Sequence, residues 1–201
     1  MVERQLRRRD ITDERVLAAM ERVPRESFLP PDLRVRAYED AALPIGEGQT
    51  ISQPYMVAAI CAALALRGDE RVLDVGTGSG YQAAVLAELA AGVHSLERIP
   101  ELADRARRAL DAAGFAGRVH VHVADGTRGD PEHAPFGGIA VAAAASAPPP
   151  ALLDQLELGA RLVIPIGPPY QQFLRVYLKT PEGPAEFASI PCRFVPLVGG
   201  G

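Results

Sequence analysis

The sequence predicts an α/β protein: a doubly wound, mostly parallel seven-stranded sheet with helices on both faces, an antiparallel C-terminal edge and an N-terminal helical cap. Three observations carry this. Val72, Leu73 and Val75 form a short apolar run that leads directly into Gly76, Gly78 and Gly80, and Gln82 to Ala90 then reads as a helix. Strand, glycine turn, helix is the opening of a nucleotide-binding α/β unit. Beyond it, strand-like and helix-like segments alternate, which specifies parallel strands joined by right-handed crossovers. The last two strand-like segments, Gln172 to Lys179 and Phe187 to Leu197, have no helical period between them, so an antiparallel hairpin at the sheet edge is expected.

Each element follows from local pattern. Thr12 to Val23 reads as a helix with Thr12 as its cap, because Val16, Leu17, Met20 and Val23 recur at helical spacing and Pro24 ends it. Ser27 to Gly48 reads as irregular, punctuated by Pro30, Pro31 and Pro44. Gly46 and Gly48 mark a turned loop, and Pro54 suits the first turn of a helix running to about Leu66. That helix is apolar nearly all round, so it is expected to be buried. Thr50 and Ser52 then stand at the mouth of a buried helix, where Ser52 could act simply as its N-cap.

After the glycine turn, Val93 to Glu97 is a second strand and Pro100 to Ala113 a helix, with Gly114 beyond its end. Glu101 with Arg105, and Asp104 with Arg108, are expected as i,i+4 pairs on its wet face. Val119 to Val123, Ile139 to Ala143 and Arg161 to Ile166 are further strands, and Pro148 to Leu156 a short helix. Gly199 to Gly201 reads as a frayed tail. One domain of 201 residues is expected: residues 1–53 as cap and loop, 54–167 as the α/β core, 168–201 as closing strands.

Composition narrows the function. A hydrophobic fraction of 48% with 23% charged residues is that of an ordinary globular protein. The net charge of −4 argues against nucleic acid as a partner, because phosphate binding needs a clustered positive surface. Cys61 and Cys192 form no C-x-x-C, so free thiols in a reducing compartment are expected. His120 and His122 share one face of a strand and are read as a polar face, with no metal expected. No apolar run is long enough to span a bilayer and no signal core opens the chain, so a cytoplasmic location is expected.

Ligands of parallel α/β sheets bind at the carboxyl ends of the strands. That gathers Gly76 to Gly80, Glu97 and Asp125 around one crevice. Glu97 ends the second strand about 20 residues past the glycines, where an acid can accept both hydroxyls of a ribose. A dinucleotide fingerprint would need glycine where Tyr81 stands, which argues against an NAD-dependent oxidoreductase. Asp74 with Gly76, Gly78 and Gly80 instead resembles motif I of S-adenosylmethionine-dependent methyltransferases.

The chain is similar, over nearly its whole length, to the protein-L-isoaspartate O-methyltransferases, members of the Rossmann-like class I methyltransferases. The segments that carry the resemblance are Val23 to Phe28, Leu43 to Met56, Val72 to Gln82, Ser95 to Arg98, Leu162 to Gly167 and Arg193 to Leu197. Thr50-Ile-Ser-Gln-Pro54 and Phe194-Val-Pro-Leu197 are the most specific. The resemblance implies S-adenosyl-L-methionine as cofactor and the free carboxylate of L-isoaspartyl residues in damaged proteins and peptides as substrate. The ester would begin repair by collapsing to a succinimide. It implies Ser52 as the active-site residue, holding the carboxylate. Asp74 would face the methionine end, Gly76, Thr77, Gly78 and Gly80 would wrap the cofactor, Glu97 would take the ribose, and Asp125 with Gly126 would border the adenine. Thr50, Ile51, Ser52, Val195, Pro196 and Leu197 would line the substrate cleft of a monomer that needs neither nucleic acid nor membrane.

Two departures stand out. The family usually has an aromatic residue followed by Asp where this chain has Phe136-Gly137-Gly138, and a Thr before its alanines where this one has Val141-Ala142-Ala143-Ala144. Both changes remove polar groups expected near the crevice. Methylation of an aspartate side chain in a peptide natural product, or cofactor binding without catalysis, are the rival readings. A nucleic-acid methyltransferase is disfavoured: neither an Asn-Pro-Pro-Tyr-like nor a catalytic cysteine loop follows the fourth strand.

Overall fold

The computed structural model describes residues 1–199. A helical turn of π type, Val2–Arg7, precedes helix α1, Glu14–Arg22, which turns Val16, Leu17, Ala19 and Met20 inward. Asp13, not Thr12, caps it: its carboxylate accepts from the backbone N–H groups of Arg15 and Val16 at 2.9 and 3.3 Å. The stretch read as irregular is more ordered than its prolines suggest. Two 3-10 turns, Arg25–Phe28 and Pro31–Arg36, lead into an antiparallel hairpin of β1, Leu43–Gly46, and β2, Gln49–Ile51. Strands this short carry no legible period; the pairing itself makes them strands.

Helix α2, Pro54–Leu64, has Pro54 in its first turn and is buried almost all round, as expected, but stops at Ala65 in the left-handed region rather than at Leu66. Then follow β3, Arg71–Val75; α3, Tyr81–Ala87; β4, Gly92–Glu97; α4, Pro100–Ala112; and β5, Val119–Val123. The chain closes with β6, Phe136–Val141; α5, Pro150–Asp154; β7, Leu156–Ile166; β8, Gln172–Thr180; and β9, Gly183–Cys192. The sheet order is β5-β4-β3-β6-β7-β8-β9. The strands from β5 to β7 run parallel, and β8 and β9 are antiparallel. The predicted seven-stranded sheet with an antiparallel edge is therefore present.

The sheet has two unlike faces. Val72, Val93, Ala140 and Val163 pack in one core with apolar residues of α1, α2, α3 and α4. Leu73, Val75, Leu96, Ile139 and Leu162 form the other, where Leu152 of the short α5 joins them.

Three expectations need correction. The surface pairs on α4 are not i,i+4: Asp104 binds Arg107 at 2.6 Å, and Arg105 reaches Glu47 on the β1–β2 turn at 3.5 Å. The last strand ends at Cys192, five residues before Leu197. The chain then leaves the edge and lies along the end of β6. Ala144 donates to the Val195 carbonyl at 2.8 Å, and Leu197 donates to the Ala144 carbonyl at 2.7 Å. Gly199 is not frayed, since a Cβ there would meet the Asp125 carboxylate and Thr127; Gly200 and Gly201 lie outside the described residues. Among the described residues, no helix is long and apolar enough to cross a membrane.

Candidate active site

A crevice of about 930 Å³, open to solvent, lies at the carboxyl ends of β3, β4 and β6. Gly76 to Ser79 form one wall, Glu97 to Ile99 another, Ala142 and Ala143 the base, and Val195 to Val198 and Gln49 to Ser52 the rim. Four segments distant in sequence are brought together because parallel strands all end on the same side.

The glycine loop is held by its backbone. Gly76 and Thr77 donate to the Leu96 carbonyl at 2.9 and 3.1 Å, which ties the loop to the end of β4. Gly76, Gly78 and Gly80 have φ of 94°, 53° and 92°, a region open to glycine and strained for other residues. The β1–β2 hairpin rests on this loop: a Cβ on Gly78 would lie 3.4 Å from Ile45 Cδ1. Gly126 is required for a different reason. A Cβ there would stand 2.4 Å from Val75 Cγ1.

Glu97 lies where the sequence placed it, on the crevice wall at the end of β4. One carboxylate oxygen accepts from Gly78 N–H at 2.9 Å and the other from Ile99 N–H at 3.0 Å. A carboxylate oxygen has two lone-pair sites, so each keeps one for a ligand hydroxyl. Asp125 caps the 3-10 turn Gly126–Arg128, accepting from Thr127 N–H at 2.9 Å, while Gly126 reaches the crevice.

Asp74 lies deeper than expected. It is fully buried beneath the glycine loop and is not on the crevice surface. Gln82 donates to one of its oxygens at 2.8 Å and Ser95 to the other at 2.7 Å; Ser95 also meets the Thr77 hydroxyl at 2.6 Å. Burial pushes the Asp74 carboxyl up to about 6, against the hydrogen bonds from Gln82 and Ser95 that pull it down. The carboxylate thus braces α3, β3 and β4 from below. Gln82, which lines the crevice, is the group through which Asp74 touches its surface.

Ser52 is not the cap of α2. Gln53 holds that position, with no side-chain capping bond. Ser52 instead stands where the crevice opens into a second groove; Thr50, Ser52, Ala142 and Val195 line both. Arg9, Tyr55, Arg193 and Phe194 line the outer groove. Ala142 lines the crevice as the sequence led one to expect, whereas Gln82, two residues past the glycine turn, was not singled out by its pattern.

The family model described as Protein-L-isoaspartate(D-aspartate) O-methyltransferase (PCMT) matches residues 1–201. The chain belongs to this family. Protein-L-isoaspartate O-methyltransferase 2 of Marinobacter nauticus is 59% identical over 202 residues, covering 99% of this chain and 91% of its own. The protein-L-isoaspartate O-methyltransferase of Methanoculleus marisnigri is 55% identical, covering 99% and 90%. A Plasmodium falciparum crystal structure assigned to the same enzyme class, in complex with S-adenosyl-L-homocysteine, is 26% identical with a TM-score of 0.83, covering 98% and 96%. Another structure of a protein-L-isoaspartate O-methyltransferase is 28% identical with a TM-score of 0.87, covering 100% of this chain and 66% of that one.

The two departures from the family pattern separate in space. Gly137 is remote from the crevice, on the opening turns of β6, where a Cβ would lie 2.6 Å from Glu70 Cγ. Expecting its change to strip polarity from the crevice was wrong: its sequence neighbourhood is near β6, but at the other end of the strand. Ala142 is in the crevice, beside Gly76.

Proposed function

We propose that this chain is an S-adenosyl-L-methionine-dependent methyltransferase that esterifies the free carboxylate of L-isoaspartyl residues in damaged proteins and peptides, initiating their repair. The observation that carries this reading is the position of Ser52. It stands at the junction between a nucleoside-sized crevice and a groove open to a peptide. The crevice's Glu97 carboxylate and glycine loop suit a ribose and an extended cofactor chain.

When bound, the cofactor supplies an electrophilic methyl group on a sulfonium. The chain's own residues bind and orient. The acceptor carboxylate, with a reference pKa of about 4, is already ionised at neutral pH, so no general base is needed. What the protein adds is alignment of oxygen and methyl; such orientation can supply roughly 7–11 kcal/mol. Ser52 donates a hydrogen bond to the carboxylate and fixes its direction. It is not a covalent nucleophile, since no activating base is assigned to it.

In this reading Gly76, Thr77, Gly78 and Gly80 wrap the cofactor and Glu97 accepts from the ribose. Asp125 and Gly126 border the adenine, and Asp74 acts from below through Gln82. Thr50, Ile51, Val195, Pro196 and Leu197 line the acceptor cleft. The net charge of −4 and the free thiols suit a reducing, cytoplasmic setting without a nucleic-acid partner. We read the chain as one continuous domain.

The test is methyl transfer from labelled S-adenosyl-L-methionine to a matched pair of peptides, with L-isoaspartate or L-aspartate at the same place. Label on the isoaspartyl peptide alone is expected. Label on neither, with the cofactor still bound, would overturn the assignment of the acceptor.

A further inference from the structure

We propose that His94, His122, Asp130 and His133 form a binding site for one zinc-class divalent transition-metal cation. The sequence shows two histidines on a strand and no more. The fold adds the rest. Parallel register sets His94 of β4 opposite His120 of β5, so His94, His120 and His122 project from the same face. The His94 and His122 rings stack with centroids 5.5 Å apart and planes 1° from parallel. The loop before β6 brings His133, whose ring centroid is 4.0 Å from that of His94, and Asp130. This lies on the sheet face that α5 covers only in part, and none of the four residues lines the crevice.

The donor atoms converge. One ligand atom from each of the four residues lies within 4.8 Å of all the others. Asp130 Oδ2 is 2.8 Å from His133 Nδ1 and 3.4 Å from His94 Nδ1. Donors around a tetrahedral zinc with bonds of about 2.0–2.2 Å sit about 3.3–3.6 Å apart. The cluster therefore needs side-chain closure on the order of 1 Å at its widest edge.

Two nitrogens ask for a partner. His94 Nδ1 and His122 Nε2 are both buried with no hydrogen bond, and His94 as a whole is only 9% exposed. Orphaned buried polar atoms are rare and call for an explanation, an ion among them. Asp130 Oδ2 is bonded to His133 at 2.8 Å and stands 3.4 Å from His94 Nδ1 without a hydrogen bond, and His122 Nε2 is left with no partner either. A cation would take the lone pairs of both orphans and the charge of Asp130 together. Three imidazoles and a carboxylate suit zinc and its neighbours, not magnesium or calcium, which prefer oxygen alone.

The surroundings hold the donors in place. Asp130 N–H donates to Gln155 Oε1 at 2.8 Å, and Gln155 Nε2 donates to the Arg128 carbonyl at 2.8 Å. Arg71 donates to the His133 carbonyl at 2.8 Å. With four protein ligands the site has no open position, which makes it a structural staple rather than a catalytic centre. It would join β4, β5 and the loop of residues 130–133 on the face opposite to α3 and α4, where α5 packs against β7 instead.

The test uses the full chain, stripped with chelator and titrated with zinc against a chromogenic competitor, then with cobalt to read its absorption. One zinc per chain at sub-micromolar affinity is expected, with tetrahedral cobalt bands and no displacement by excess magnesium. His122→Gln and His133→Ala should each weaken zinc binding at least about 100-fold, since even an outer partner of a ligand is worth 10–100-fold. Both positions are partly exposed, so folding should survive; retained S-adenosyl-L-homocysteine binding checks it. Absence of stoichiometric zinc in the wild type, or wild-type affinity in both folded variants, would overturn the site.

Discussion

Gly78 donates its backbone N–H to Glu97 Oε2 at 2.9 Å. The loop that would wrap the cofactor is thus hung from the side chain that would hold its ribose. Loss of Glu97 should act twice, removing a ligand contact and loosening the loop. Glu97→Ala is expected to weaken S-adenosyl-L-homocysteine binding by about 1.5–3 kcal/mol, the worth of a hydrogen bond to a charged group. Glu97→Gln should rescue only part, because Gly78 and Ile99 both donate and the amide nitrogen would oppose one of them. Calorimetry showing wild-type affinity for Glu97→Ala would remove the ribose role.

Ser52→Ala should separate orientation from cofactor binding. The hydroxyl lies at the junction of the two grooves and does not cap α2. The expected result is a fall in kcat of roughly 10-fold or more, from loss of one hydrogen bond to a carboxylate, with S-adenosyl-L-homocysteine affinity unchanged. An unchanged kcat would leave Ser52 without a part in the reaction.

Gly126→Ala tests how tightly the adenine side is packed. Its Cβ would stand 2.4 Å from Val75 Cγ1, and Val75 is only 1% exposed. Overpacking of this kind costs about 1–3 kcal/mol, so Tm should fall by several degrees and cofactor affinity with it. Gly92→Ala is the contrast. Its nearest neighbour for a Cβ is the Arg118 carbonyl at 3.9 Å and its φ is outside the left-handed region, so Tm should hold or rise.

Asp74 should make stability depend on pH in an unusual direction. Its folded pKa, about 6, lies above the ordinary 3.8 because the carboxyl is buried. The native state therefore binds the proton more tightly than the unfolded chain. The stabilisation is full below about pH 4 and is lost as pH rises through about 6, a change of about 3 kcal/mol. Asp74→Asn lacks this titration. Its stability relative to wild type should therefore rise by that amount between pH 4 and 7. Parallel denaturation series at several pH values check this; a constant gap would show that Asp74 does not titrate in that window.

Ala142→Thr should restore a hydroxyl at the base of the crevice, between the two grooves. If that hydroxyl reaches the carboxylate, kcat/KM for the isoaspartyl peptide should rise roughly 10-fold or more, the worth of one hydrogen bond to a charged group. A fall would mean that the crevice is already filled to the alanine methyl. Gly137→Asp should give no gain in turnover, since that position faces Glu70 and not the crevice.

Much of the site was legible in order along the chain. The apolar run before Gly76, the glycines themselves and Glu97 at a strand end are local signals, and the structure puts Val75, Gly76, Gly78 and Glu97 around one crevice. Position along a strand was less legible. Gly137 and Ala142 are both on or beside β6, yet only Ala142 reaches the crevice, because the ligand side of a parallel strand is its carboxyl end. The hairpin of β1 and β2 was hidden because strands of four and three residues are too short to show alternation.

The alternation of strands and helices, the glycine turn, the antiparallel edge and the placing of Glu97 were readable along the chain. These depend on hydrophobic period and turn residues, which act between neighbours. Three-dimensional packing alone sets Asp74 beneath the loop, takes residues 193–197 off the sheet to border the crevice, and brings three histidines to Asp130. Those outcomes depend on which strands lie side by side and in what register. Register is fixed by the packing of whole faces, and no single segment of the chain contains it.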